Sequence, residues 1–149
     1  MLKLVRTDSN NPDFKKLVEK LDTYLQITDG DEHEFYNQFN SISVLKHVVV
    51  AYQNNAAVAC GAFKTFNNSS VEIKRMFTLP EYRKTGIAES ILTELEKWAK
   101  DLSFEYTVLE TGKRQIEAVN FYKKNNYNVM PNYGQYMNKE NSLCFKKLL

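Results

Sequence analysis

The stretch from Val71 to Trp98 constrains the fold more than any other part of this chain. Val71-Glu72-Ile73-Lys74-Arg75-Met76-Phe77-Thr78 alternates and is rich in strand-favouring side chains, which predicts a β-strand. Pro80 cannot donate a ladder hydrogen bond and ends it. Further on, Ile87, Ile91, Leu95 and Trp98 recur at three- and four-residue spacing, with Leu92 and Ala99 beside them, which predicts one apolar face of an amphipathic helix. Between the two lies Arg83-Lys84-Thr85-Gly86-Ile87-Ala88, a basic loop containing a glycine. A helix N-terminus offers unpaired backbone N–H groups and the positive end of a dipole to an anion. Gly86 and Ala88 have little or no side chain, so a phosphate can approach the main chain closely. Arg83 adds charge as a planar fork and Lys84 as a point charge. Strand, loop and helix together read as a pyrophosphate site.

At 149 residues the chain is expected to form one domain, burying about two-thirds of its unfolded surface. Net charge is +2 with no long block of one sign, so nothing favours a general nucleic-acid or membrane surface. No stretch approaches about 20 apolar residues, and Met1-Leu2-Lys3-Leu4-Val5-Arg6 lacks a signal-peptide core, so a cytoplasmic location is expected. Cys60 and Cys144 both sit in apolar, strand-like runs and are expected to be buried, reduced thiols. Two histidines and two cysteines, all far apart, offer no metal-ligand spacing, so no metal is expected.

Taken in order, Leu2 to Arg6 reads as a strand, and Asn11-Pro12-Asp13 opens a helix with Asn11 as cap and Pro12 in the first turn. Phe14, Leu17, Val18, Leu21 and Leu25 form its apolar face. Asp29-Gly30-Asp31 breaks the chain, and Asp31 with Glu34 suggests a capping-box start for a short helix carrying Phe35, Tyr36 and Phe39. Leu45 to Tyr52 is a strand whose Val48-Val49-Val50-Ala51 run predicts burial on both faces. Gln53-Asn54-Asn55 turns into a second strand, Ala56 to Phe66, and Asn67 to Ser70 turns into the strand before the loop. After the long helix come a strand at Tyr106 to Glu110, a break at Thr111-Gly112 and a helix over Gln115 to Asn125. Two closing strands follow, at Tyr127 to Val129 and Ser142 to Lys147. This order indicates an α/β chain with a mixed sheet covered by helices.

Arg83-x-x-Gly86-x-Ala88, eleven residues after Glu72 on the preceding strand, resembles the acetyl-CoA loop of the GNAT acyltransferases, whose pattern is Gln/Arg-x-x-Gly-x-Gly/Ala. The order of elements matches too, over nearly the whole chain and most thinly over Thr7 to Lys46. The resemblance implies a GNAT fold, a central and mostly antiparallel sheet of six to seven strands flanked by about four helices. It implies acetyl-CoA as cosubstrate, with the pyrophosphate on Arg83 to Ala88 and the pantetheine arm on backbone groups of Met76, Phe77 and Thr78.

Acyl transfer from a thioester to an amine requires the cosubstrate to be held, the amine to lose a proton and the thiolate to gain one. By its position, the resemblance makes Glu72 the base; the plainer alternative is a solvent-facing residue or a partner of Lys74 or Arg75. The family pattern Asn-x-x-Ala-x-x-x-Tyr-x-x-x-Gly-Phe reads here Gln115-x-x-Ala118-x-x-x-Tyr122-x-x-x-Asn126-Tyr127. It implies that the Tyr122 hydroxyl protonates the departing sulfur; from the residues alone, Tyr122 beside Phe121 is equally a core ring with a wet tip. Gln115 keeps the amide of the Asn that contacts the cosubstrate arm but is one methylene longer. Asn126 stands for a left-handed, helix-ending Gly, for which Asn is the next-best residue.

Glu110-Thr111-Gly112 either lines the substrate side or forms a turn. Asp29, Asp31, Glu32 and Glu34, with His33 among them, either wall the acceptor site or form a solvated loop. Tyr133, Tyr136 and Met137 either face them across the site or pack on the core. The expectation is an N-acetyltransferase that moves acetyl directly to the primary amine of a small amine or amino-acid-like metabolite, with a homodimer left open. The alternative is a non-catalytic CoA-binding sensor on the same fold. A nucleotide-binding protein is disfavoured, because neither Gly-x-x-x-x-Gly-Lys-Ser/Thr nor Gly-x-Gly-x-x-Gly occurs.

Overall fold

A computed structural model describes residues 1–32 and 45–149. Seven strands form one sheet: β1 (Leu2–Thr7), β2 (His47–Gln53), β3 (Ala56–Thr65), β4 (Ser70–Thr78), β5 (Tyr106–Gly112), β6 (Asn128–Met130) and β7 (Ser142–Leu148), in the order β1-β2-β3-β4-β5-β7-β6. Every neighbouring pair is antiparallel except β4–β5. The described residues include three α-helices, α1 (Pro12–Asp29), α2 (Ile87–Asp101) and α3 (Ile116–Lys124). The expected short helix with Phe35, Tyr36 and Phe39, together with His33 and Glu34, lies outside the described residues.

Local chemistry explains the element ends. Asn11 Oδ1 accepts from the Phe14 N–H at 3.0 Å, satisfying one of the orphan amides at the start of α1, and Pro12 occupies the first turn. Asn54 and Asn55 take φ of 52° and 69°, the left-handed pair that a tight hairpin between β2 and β3 needs. Thr111 and Gly112 extend β5 rather than breaking it, because β7 supplies partners at Leu143 and Ser142.

The helices cover the two faces. Ile87, Ile91, Leu92 and Leu95 of α2 pack on Val49, Phe63, Val71 and Ile73, while Phe14, Leu17, Val18 and Leu21 of α1 pack on Val48, Val50, Cys60 and Ala62. Successive strand residues face opposite sides, so the apolar run of β2 reflects burial from both. Cys60 and Cys144 are buried free thiols.

Two departures from regular pairing open the sheet. On the β3 side, Cys60 pairs with Phe77 and Ala62 with Lys74, so β4 carries one extra residue. Arg75 sits there with φ of 60°, a β-bulge that bends its strand. On the β5 side, parallel pairing ends after Ser70–Tyr106, Val71–Thr107 and Glu72–Val108. Beyond Glu72 the two strands part, β4 following β3 and β5 following β7. The wedge between them holds the candidate site.

Candidate active site

Two adjoining cavities, which share lining residues, fill the wedge. The larger, about 680 Å³, runs past Met76, Phe77 and Thr78 to the N-terminus of α2 and along α3. The smaller, about 110 Å³, lies towards the apex and is bordered by Glu72, Lys74, Arg75, Glu110, Thr111 and Tyr136. Both are lined by Leu21, Met76, Gln115, Ala118 and Tyr122.

At the outer end, Pro80–Tyr82 forms one 3-10 turn, and Lys84 and Gly86 take φ of 64° and 84° before α2 begins. A Cβ on Gly86 would meet nothing within 4 Å, so its left-handed backbone, not crowding, calls for glycine here. No side chain caps the first amides of α2, which leaves them to an anion. Arg83, Lys84, Gly86 and Ala88 all border the larger cavity. The Arg83 Nε donates to the Thr78 carbonyl at 2.9 Å, and its guanidinium lies over the Tyr24 and Phe77 rings at 5.8 and 5.6 Å. Its charge is therefore held in place at the cavity mouth. Thr85 donates its hydroxyl to the Tyr82 carbonyl, and Ile87 buries its side chain in the core under α2. Ile87 therefore has only backbone to offer a ligand, and the Thr85 hydroxyl has its proton engaged.

At the apex Glu72 is 3% exposed, which removes the solvent-facing alternative. Its Oε2 accepts from the Tyr133 hydroxyl at 2.7 Å, and Lys64 Nζ lies 3.9 Å from Oε1. Burial, then the neighbouring Glu72 charge and their hydrogen bond, push the Tyr133 phenol well above its ordinary range. Arg75 pairs instead with Asp22 of α1, Nη1 to Oδ1 at 2.6 Å. Burial pulls the Lys74 ammonium below its ordinary range, although Glu72 and Glu110 both act to raise it. Tyr136 is 2% exposed and borders the apex, whereas Met137 is exposed.

Between the two ends stands Tyr122, on α3. It is 7% exposed, and its ring packs against Phe121, Tyr127 and Phe145. Burial alone raises its phenol above the usual range, so it stays protonated at neutral pH. Gln115 stands at the N-cap of α3 without capping it through its side chain. Asn126 takes φ of 73°, the left-handed helix end expected of it, and the Tyr127 N–H returns to the Tyr122 carbonyl at 3.0 Å. The Tyr127 hydroxyl is more than a ring substituent: it donates to Glu96 Oε2 at 2.8 Å and lies 2.7 Å from Thr107 Oγ1. Lys147 Nζ reaches the other Glu96 oxygen at 2.9 Å, tying α2, β5 and β7 behind Tyr122.

The acidic segment contributes Glu32, whose carboxylate lies 3.7 Å from Arg114 Nη2 beside the α3 entrance. Asp22 carries no signal in the sequence, and Lys74 and Arg75 read there only as partners of Glu72. A carboxylate partner 53 residues away has no local signature.

A family model described as "Acetyltransferase (GNAT) family" matches residues 14–127, and the chain belongs to that family. An IAA acetyltransferase of Azospirillum brasilense is 29% identical over 140 residues, covering 90% of this chain and 89% of that protein. Among solved structures, a Klebsiella pneumoniae protein assigned as an acyl-CoA N-acyltransferase superposes with a TM-score of 0.82 at 22% identity, covering 100% of this chain and 98% of the other. A GNAT family acetyltransferase of Elizabethkingia anophelis, solved with acetyl-CoA bound, gives a TM-score of 0.72 at 16% identity over 99% of this chain and 98% of its own. These likenesses carry the fold, a mixed sheet flanked by helices. Family membership supports acyl transfer from an acyl-CoA.

Proposed function

We propose that this protein is an acetyl-CoA-dependent N-acetyltransferase that moves acetyl directly to the primary amine of a small molecule. One observation carries the reading: Tyr122 borders both the long cavity that starts at a helix N-terminus and the short one that ends on a buried carboxylate. The amides at the start of α2, with Arg83 and Lys84, would take the pyrophosphate. Met76, Phe77 and Thr78 would carry the pantetheine arm towards the apex, with Gln115 beside it.

Glu72 accepts the proton that the ammonium must lose, directly or through a water. The amine nitrogen then bonds to the thioester carbonyl carbon, and the carbon–sulfur bond breaks. Tyr122 donates its proton to the departing thiolate, and the second proton on the acylated nitrogen is lost through solvent and reloads the phenolate, giving the acetamide and free CoA. The phenol is protonated at neutral pH, so it is loaded for that step. The A. brasilense relative's description supports acetyl as the group moved.

The test is thermal unfolding with acetyl-CoA, CoA, ATP and NAD side by side, followed by thiol release across an amine panel. A ligand at about a hundred times its dissociation constant adds roughly 2.7 kcal/mol. Stabilisation by the two CoA species with thiol release on an amine supports the enzyme. Stabilisation with no release from any amine would leave a CoA-binding module, and no stabilisation would remove the reading.

A further inference from the structure

The apex cavity carries more charge than deprotonating an amine requires. Glu72 and Val108 are the last residues paired between β4 and β5. In a parallel pair, residues in register point to the same face. Lys74 and Glu110, two residues further along each strand, therefore face the same side as Glu72, across the opening wedge. Both border the apex cavity, and so does Arg75 on the bulge. Among the described residues, two carboxylates and two cations thus border about 110 Å³, room for a few small groups. Glu72, Lys74 and Arg75 are all at least nine-tenths buried.

From this we infer that the acceptor is a small zwitterion, an amine carrying its own carboxylate, with the amine towards Glu72 and Glu110 and the carboxylate towards Lys74 and Arg75. The inference rests on the N-acetyltransferase reading and narrows its substrate class.

Charge balance separates this class from its rivals. A polyamine brings several positive charges and calls for a net-negative lining, whereas these four side chains sum to zero and still do so when Asp22 on Arg75 and Lys64 beside Glu72 are included. An amine with no carboxylate makes no use of the Lys74 and Arg75 side of the cavity, where Arg75 is held by Asp22 at 2.6 Å. Burial disfavours the Lys74 ammonium in spite of its two acidic neighbours, and a carboxylate placed beside it favours its charged form. Leu21 and Leu25 of α1 border the same cavity and suit a short aliphatic side chain on the acceptor.

The experiment is acetyl-CoA-dependent thiol release with the α-amino acids, each compared with its carboxamide and its decarboxylated amine. The carboxamide removes charge at nearly constant shape, and losing one charge-assisted contact is worth roughly tenfold to a hundredfold. The expected result is a kcat/KM at least that much higher for the best amino acid than for its carboxamide. Lys74→Met should narrow that ratio, with acetyl-CoA stabilisation retained as the check on folding; if this variant does not fold, the comparison on the unaltered protein decides. A carboxamide or decarboxylated amine acetylated as well as the acid overturns the zwitterion while leaving the N-acetyltransferase standing. Absence of acetyl-CoA binding overturns both.

Discussion

The Tyr133 hydroxyl donates to Glu72 Oε2 at 2.7 Å, bringing a residue of the β6–β7 connection onto a carboxylate in the middle of the sheet. The same ring meets Phe66, at the end of the β3–β4 hairpin, edge-on at 4.8 Å. Tyr133 thereby fixes one carboxylate oxygen and leaves the other towards the cavity and Lys64.

If Glu72 is the base and Tyr133 orients it, their variants should not act independently. Glu72→Gln should lower kcat and abolish the acidic limb of the pH–rate profile. Tyr133→Phe should lower kcat by a smaller factor, and in the Glu72→Gln background it should do almost nothing more. Equal losses from Tyr133→Phe in both backgrounds would assign its hydroxyl to structure alone.

Tyr122→Phe removes the proton donor and keeps the ring that packs on Phe121, Tyr127 and Phe145. General-acid contributions run to roughly a hundredfold or more. The expected outcome is a drop of that order in kcat with acetyl-CoA affinity nearly unchanged, read from steady-state kinetics beside calorimetric titration. Unaltered turnover would return Tyr122 to the core.

Gly61 lies opposite the bulge, and a methyl there would press on Met76, approach Ile91 Cγ2 at 2.8 Å and approach Leu95 Cδ1 at 2.9 Å. Met76 is flexible, but both α2 side chains are fully buried and have nowhere to move. Gly61→Ala should destabilise the fold by about 1–3 kcal/mol, seen in chemical denaturation. A neutral effect would show that α2 can shift away from the sheet.

Stability should decline on the alkaline side. Burial raises the Cys60 thiol from 9.0 to about 12, and it raises the phenols of Tyr122, Tyr127, Tyr133 and Tyr136 beyond their ordinary range. The unfolded chain releases these protons first, so the Cys60 contribution is intact below pH 9.0 and is lost as pH rises towards 12. Each such group subtracts about 1.4 kcal/mol per pH unit within its window. Thermal unfolding across pH 8 to 11 should show a fall steepening above about pH 9, and Cys60→Ala should make it shallower. A slope identical in the variant would mean that Cys60 does not contribute.

How far the sequence alone reached depends on the range over which each feature is set. Asn11 caps α1, Asn54 and Asn55 turn a hairpin, and Asn126 ends α3, each through φ preferences and hydrogen bonds within a few residues. The α2 stripe follows from helical period, and the family pattern around Arg83, Gly86 and Tyr122 is local as well. These features were legible because the chain need only meet itself nearby.

Tertiary structure decided the rest. Alternation alone left Glu72 equally able to face water, and only the docking of the β6–β7 connection buries it against Tyr133. Lys74 and Glu110 oppose each other because β4 and β5 part after Glu72–Val108, a register no single strand encodes. Arg75 reads as a possible partner of its neighbour until α1, packed on the sheet, brings Asp22 to 2.6 Å. A side chain's charge is written in the sequence, but its partner and its burial are set by which distant elements the sheet and helices bring against it.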